Sequence, residues 1–220
     1  MVARPGSGAQ GSEQETVVLV PGLWMAGWVL ALQGLRIRRC GFDVRLFSYP
    51  SVGAGLAENA QRLSRFTAAI DAPRLHFVGH SLGGLLILAL LDRYPDPRTG
   101  RVVLLGSPYG GSRVAHTLAR TAAGRMLLGR TMLDWLDGDK PKTAEGREIG
   151  VLAGSRSFGA GRLICRLDAP NDGVVTVEET RVPAMGDQVV LRVSHSEMLF
   201  SRRVAEQVCA FLRSGRFAHS

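Results

Sequence analysis

The chain has 220 residues, 45% of them hydrophobic and 21% charged, the make-up of an ordinary globular chain with enough apolar material for one substantial core. A formal charge of +8 would ordinarily raise nucleic acid or an anionic membrane as a partner, yet Lys140 and Lys142 are the only lysines and the arginines are scattered without a basic tract, so nucleic-acid binding is set aside. Cys40, Cys165 and Cys209 are odd in number and far apart, which indicates neither a disulfide framework nor a zinc site and suits a reducing compartment.

Residues 1–15 hold glycine, serine, glutamine and charge, with no apolar segment of signal-peptide length and no transmembrane run. They read as a flexible leader, and the cytoplasm is the default location. Thr16 to Val20 is a branched, apolar run closed by Pro21-Gly22, a first buried strand and its turn. Trp28 to Arg39 carries Trp28, Val29, Leu32 and Leu35 at helical spacing and stops at Gly41, which predicts a helix with those four side chains in the core. Val44 to Phe47 follows as a strand closed by Tyr49-Pro50. The stretch Leu56 to Ile70 then places Leu56, Ala60, Leu63, Phe66 and Ile70 on one face, as in a surface helix packed on a sheet.

Leu75 to Val78 is the next apolar strand, and Leu85 to Leu91 an apolar helix; between them lies Gly79-His80-Ser81-Leu82-Gly83, extended by Gly84. A serine at so sharp a strand-to-helix turn reads as a nucleophile elbow, the plain alternative being a tight turn that merely contains a serine. Side chains at the flanking positions would collide with neighbouring backbone, and glycine avoids the collision. The helix start places backbone N–H groups and the positive end of a dipole beside the serine oxygen, so the Leu82 amide can donate to an oxyanion.

With Gly-His-Ser-Leu-Gly-Gly in this setting the chain resembles the α/β-hydrolase fold, in particular its lipases and carboxylesterases, from about Val17 to Leu212. The resemblance implies a mostly parallel sheet of about six strands flanked by helices, and a triad in the order serine, acid, histidine. It also implies a second oxyanion donor in the turn after the first strand. His-Gly is usual there; here Pro21-Gly22-Leu23-Trp24 stands in its place, and the Leu23 amide is the expected donor, with Trp24 and Met25 as candidates to line the substrate pocket.

Val102 to Leu105 is the following strand, ending in Gly106-Ser107-Pro108, and Tyr109 should flank a cleft at the carboxyl ends of the parallel strands. From Ser112 to Gly146 the strand signal disappears, where the family inserts a cap or lid. Met126, Met132 and Trp135 are the cap's candidate substrate contacts, either as an apolar channel for an acyl chain or simply as helices covering the sheet. Glu148 to Ala153 reads as a strand and 155–161 as a polar loop. Asn171-Asp172-Gly173 resembles the acid loop of the lipases, so Asp172 is the expected acid, with Asp168 as competitor. Gln188 to Val193 forms the last strand; Ser194-His195-Ser196 follows, and a terminal helix presents Phe200, Val204, Val208 and Phe211 to the sheet. Among the five histidines only His195 has the context of a base, since His76 begins a strand, His80 is the variable elbow residue, His116 lies in the cap and His219 in a frayed tail.

The expected organisation is a leader over 1–15, a single domain over 16–213 with its cap at 112–146, and a tail over 214–220. The expected reaction is hydrolysis of an uncharged ester with an apolar acyl chain. Ser81 attacks after His195 takes its proton, Asp172 orients the ring, and the Leu23 and Leu82 amides hold the oxyanion. A general base must be neutral, so activity should fall as the pH drops through the ordinary histidine range, roughly 6 to 7. No metal or organic cofactor is called for, and the apolar cap leaves room for transient contact with a lipid surface. A thioesterase or acyltransferase would use the same triad, and a non-catalytic lipid-binding or interaction protein would keep only the fold.

Overall fold

In the computed structural model, which describes residues 14–138, 140–141, 147–183 and 185–219, the apolar runs pair edge to edge as six strands. These are β1 (Thr16–Val20), β2 (Asp43–Leu46), β3 (Leu75–His80), β4 (Thr99–Leu105), β5 (Ile149–Gly154) and β6 (Asp187–Leu191). Their order is β2-β1-β3-β4-β5-β6 and each pairing is parallel. The register sets Leu19 beside Val78 and Val78 beside Val103. Buried along their whole length, β1, β3 and β5 are the near-continuous hydrophobic runs expected of strands covered on both faces. After β2 the chain crosses to the other side of β1, so a crevice opens between the carboxyl ends of β1 and β3.

Alternation along the strands divides the core into two layers. Val17, Leu19, Val78 and Val103 face α1 (Ala31–Arg38) and the last helix, Arg202–Ser214. Val18, Val20, Phe77 and Leu104 face α2 (Leu56–Ala68) and α3 (Leu82–Arg93). In α3 every residue from Leu82 to Leu91 is buried, with the sheet on one side and α2 packed on another; a helix apolar all round requires such a position. The cap is α4 (Arg113–Leu118) and α5 (Ala122–Asp137), the latter broken at Gly129 with φ of 68°. Its second half is pinned to α2. Asp134 accepts from the Leu56 amide at 2.8 Å, and Asn59 donates to Thr131 at 2.8 Å. The cap residues 139 and 142–146 lie outside the described residues, as do leader residues 1–13. A short α6 (Gly161–Ile164) follows β5, and the terminal helix is α7. Among the described residues no helix is long and apolar enough to cross a membrane.

Four expectations need correction. The helix predicted over 28–39 buries its other face: Trp28 is 74% exposed and Leu32 and Leu35 are over 40% exposed, while Leu30, Gln33, Gly34 and Ile37 point inward. The reason is what the helix meets. Gly34 lets it approach β2 closely, and the buried Gln33 amide donates to the carbonyls of Met198 and Ser201 at 2.6 and 3.0 Å. Cys40 and Cys209 are not unpaired thiols but a disulfide with Cα atoms 6.3 Å apart. They lie 169 residues apart in sequence and meet because α1 and α7 cover the same face. Phe200 precedes α7 and is half exposed, whereas Val204, Val208 and Phe211 are buried as expected. Finally, residues 215–219 do not fray: Phe217 packs on Phe211 with ring centroids 4.9 Å apart, and His219 Nε2 lies 3.0 Å from the Asp187 carboxylate.

Candidate active site

The turn joining β3 to α3 places Ser81 at φ 53° and ψ −124°, a left-handed conformation that a non-glycine residue holds only when its surroundings impose it. They do so here through the backbone: the Ser81 amide donates to the Leu105 carbonyl at 2.8 Å, and the Gly84 amide to the Ser81 carbonyl at 3.1 Å. No larger residue fits the flanks. A Cβ on Gly83 would stand 2.2 Å from the Val20 carbonyl oxygen, and one on Gly79 would stand 2.4 Å from Gly84 Cα.

Gly22, after β1, lies against Ser81, and its neighbour Leu23 lines the same cavity. Among the described residues the amides of Leu23 and Leu82 have no backbone acceptor, so both N–H groups remain available. The turn is held from behind by residues following β2. The Tyr49 hydroxyl donates to the Pro21 carbonyl at 3.0 Å, Ser51 Oγ accepts from the Trp24 amide at 3.0 Å, and Ser48 Oγ accepts from the Gly27 amide at 2.8 Å. Proline in the usual histidine position therefore contributes a carbonyl that Tyr49 fastens.

Asp172 is wholly buried, between β5 and β6 in sequence. One carboxylate oxygen accepts from the amides of Val174 and Val175 at 2.9 and 2.7 Å; the other faces His195 Nδ1 at 2.7 Å. The His195 amide also donates to the Asp172 carbonyl at 2.9 Å. Both faces of this loop are held, since Glu197 accepts from the Ser194 amide at 2.6 Å. That amide, with Arg156 beside it, keeps the Glu197 carboxyl below its ordinary range. Asp168 is elsewhere, its side chain 70% exposed and paired with Arg113 at 2.8 Å.

Ser81 and His195 line one cavity of about 200 Å³, together with Leu23, Leu82, Met25, Pro108, Val114, Leu118, Leu128, Met132 and Val174. Among the described residues the Ser81 hydroxyl has no hydrogen-bond partner. Of the six side chains expected to meet substrate, Met25 and Met132 line the cavity. Tyr109 and Trp135 are buried against each other with ring centroids 5.9 Å apart, outside its wall. Met126 is 78% exposed on the outer side of the cap. Trp24 is also exposed, with φ of 63°, and its indole N–H donates to the Leu127 carbonyl at 2.8 Å, tying the turn after β1 to the cap. Replacing Trp24 with phenylalanine keeps an aromatic ring and removes that bond; the unfolding free energy in urea should fall by about 1 kcal/mol, while the same substitution at the still more exposed Trp28 should change it far less.

His80 was the elbow's variable position in the sequence, yet it is wholly buried, with Nε2 3.1 Å from the His195 carbonyl. Burial, and then the neighbouring His195, push its pKa down to about 3. The unfolded chain protonates this ring below about 6.5 and the folded chain only near 3, so stability contributed at neutral pH is lost as the pH falls through that interval.

Residues 17–217 match the model of the alpha/beta hydrolase family. Among solved structures, a mature lipase of Bacillus licheniformis, BlEst2, superposes with a TM-score of 0.70 at 16% identity, covering 96% of each chain. The metagenomic carboxyl esterase MGS0156 does so with a TM-score of 0.61 at 22% identity, over 87% of this chain and 68% of that one. A putative carbamate hydrolase of Pantoea ananatis, RutD, is 36% identical over 107 residues, which span 45% of this chain and 39% of that protein. The structural likenesses establish a shared fold, and the family match runs from the first strand through the terminal helix. A parallel sheet with a strained serine beyond its third strand, and a buried aspartate bonded to a histidine beyond its last, is accordingly carried by a chain that belongs to the alpha/beta hydrolase family.

Proposed function

We propose that the protein is a serine hydrolase of carboxylic esters, with Ser81 as nucleophile, His195 as general base and then acid, Asp172 as the residue that orients it, and the Leu23 and Leu82 amides as oxyanion donors. The observation that carries this reading is the buried Asp172–His195 hydrogen bond on the wall of the cavity that Ser81 also lines. With Nδ1 directed at a carboxylate that has two backbone donors on its other oxygen, the imidazole keeps its proton there, which leaves Nε2 as the basic nitrogen to take the serine proton. Removal of that proton lets Ser81 attack the ester carbonyl, whose oxygen becomes anionic and is stabilised by amide hydrogens already in place. His195 then protonates the departing alcohol. Water, deprotonated by the same ring, cleaves the acyl-enzyme and restores the serine.

The cavity wall is mostly aliphatic, which favours an uncharged acyl group over a small polar one such as a carbamoyl group. Its volume of about 200 Å³ is below the roughly 300–1,000 Å³ of pockets that enclose drug-sized ligands, which favours short acyl chains. The test is turnover of a nitrophenyl ester series from acetate to palmitate, alongside fluorophosphonate labelling with mass mapping of the adduct. We expect an adduct on Ser81 and fastest turnover on the short acyl chains. A folded protein that neither labels nor hydrolyses any member would support a non-catalytic role for the fold, and faster turnover of acyl thioesters or transfer to added alcohols would reassign it to the thioesterases or acyltransferases.

A further inference from the structure

We propose that His80, the residue before the nucleophile, is a positioning residue for the base: its Nε2–H, donated to the His195 carbonyl, and its ring, packed on the His195 ring, hold the imidazole in line with Ser81. This rests on the reading of His195 as the base.

The geometry limits what His80 can be. Its Nε2 lies 3.1 Å from a backbone carbonyl oxygen, which only accepts, so that nitrogen carries the proton. The two ring centroids are 4.7 Å apart with planes inclined at 50°. Nδ1 is buried without a hydrogen-bond partner among the described residues and faces the turn after β1, where a Cβ on Gly22 would stand 3.1 Å from it. A proton on Nδ1 would have no acceptor, and the charge would sit against the ring that itself becomes positive during the reaction. The groups that face His80 are His195 and, behind it, Asp172; burial is the largest influence and the His195 ring the second, and both favour the neutral form over the opposing pull of the His195 carbonyl and then of the Asp172 carboxylate.

Because His80 and Ser81 are consecutive, this one bond refers the position of the base to the nucleophile directly. The contact spans 115 residues of chain. Apart from it, the His195 ring and loop are held by the Asp172 carboxylate and carbonyl, by Glu197 and by Gln33, none of which belongs to the elbow. Misplacement of a catalytic group by about 1 Å is enough to cost about 100-fold in rate.

Two variants separate the hydrogen bond from packing. His80→Gln places an amide N–H where Nε2 was, and His80→Met keeps similar length and apolar volume with no donor. Each is assayed for kcat and KM on the fastest nitrophenyl ester across roughly pH 5 to 9 and for the rate of fluorophosphonate labelling. We expect His80→Met to lower kcat and the labelling rate about 10- to 100-fold with KM within about twofold of the parent, and His80→Gln to recover most of the loss. Equal losses in both variants, a loss confined to KM, or parent-like kcat in His80→Met would overturn the proposal while leaving the ester-hydrolase reading intact. An inert parent protein would instead remove that reading and this one with it. If His80→Met does not fold, His80→Asn, whose amide falls short of the carbonyl, supplies the contrast with His80→Gln and is judged by the same outcomes.

Discussion

Ser81→Ala is expected to lower kcat on the best ester by about a million-fold, the scale seen when a serine hydrolase loses its nucleophile, and to abolish fluorophosphonate labelling. The fold should survive, for reasons visible at the elbow. Alanine keeps the Cβ, so the left-handed backbone at φ 53° is no more strained than with serine. The amide and carbonyl of residue 81 keep their bonds to Leu105 and Gly84. Far-ultraviolet dichroism and the thermal midpoint should therefore match the parent within error while the activity disappears. An alanine variant that still turned over ester at more than a hundredth of the parental rate would place the nucleophile elsewhere.

Asp172→Asn should cost about 10⁴-fold in kcat, and the cause is a tautomer rather than a lost charge alone. The amides of Val174 and Val175 both donate to one side-chain oxygen of residue 172. Asparagine satisfies them with its carbonyl oxygen, which turns its NH₂ toward His195 Nδ1. That nitrogen must then accept, the ring proton moves to Nε2, and the lone pair needed by the serine is gone. Asp168→Asn provides the control, because its carboxylate is exposed and paired only at the surface with Arg113. An exposed pair of this kind contributes roughly 1 kcal/mol or less, and kcat should stay within about twofold. If the losses were reversed between these two positions, the acid would have to be reassigned.

Much of the architecture is legible in the residues because it follows from local pattern. Thr16 to Val20 and Leu75 to Val78 are too apolar and branched to be anything but buried strands, and Gly79 and Gly83 announce the close approach at the turn that carries Ser81. The same residues did not reveal that Trp28, Leu32 and Leu35 would all be exposed. Periodicity identifies a helix and one apolar stripe, but whether that stripe faces inward depends on what lies opposite, and here a glycine against β2 and a glutamine bonded to the loop after His195 took the inner face. The candidate substrate contacts divide for a similar reason. Met132 and Trp135 sit three positions apart on one helix, yet the first reaches the cavity and the second packs behind it on Tyr109.

From the order of residues came a parallel α/β sheet and a serine at a strand-to-helix turn, because each depends on local pattern, while the expected aspartate and the triad order came from the resemblance to the lipases. Only the folded chain decided that Cys40 pairs with Cys209 and that His80 reaches the carbonyl of His195. Those facts depend on groups more than a hundred residues apart, or on two surfaces pressed together. Their cause is the layering of helices on a shared sheet, which no window of sequence contains.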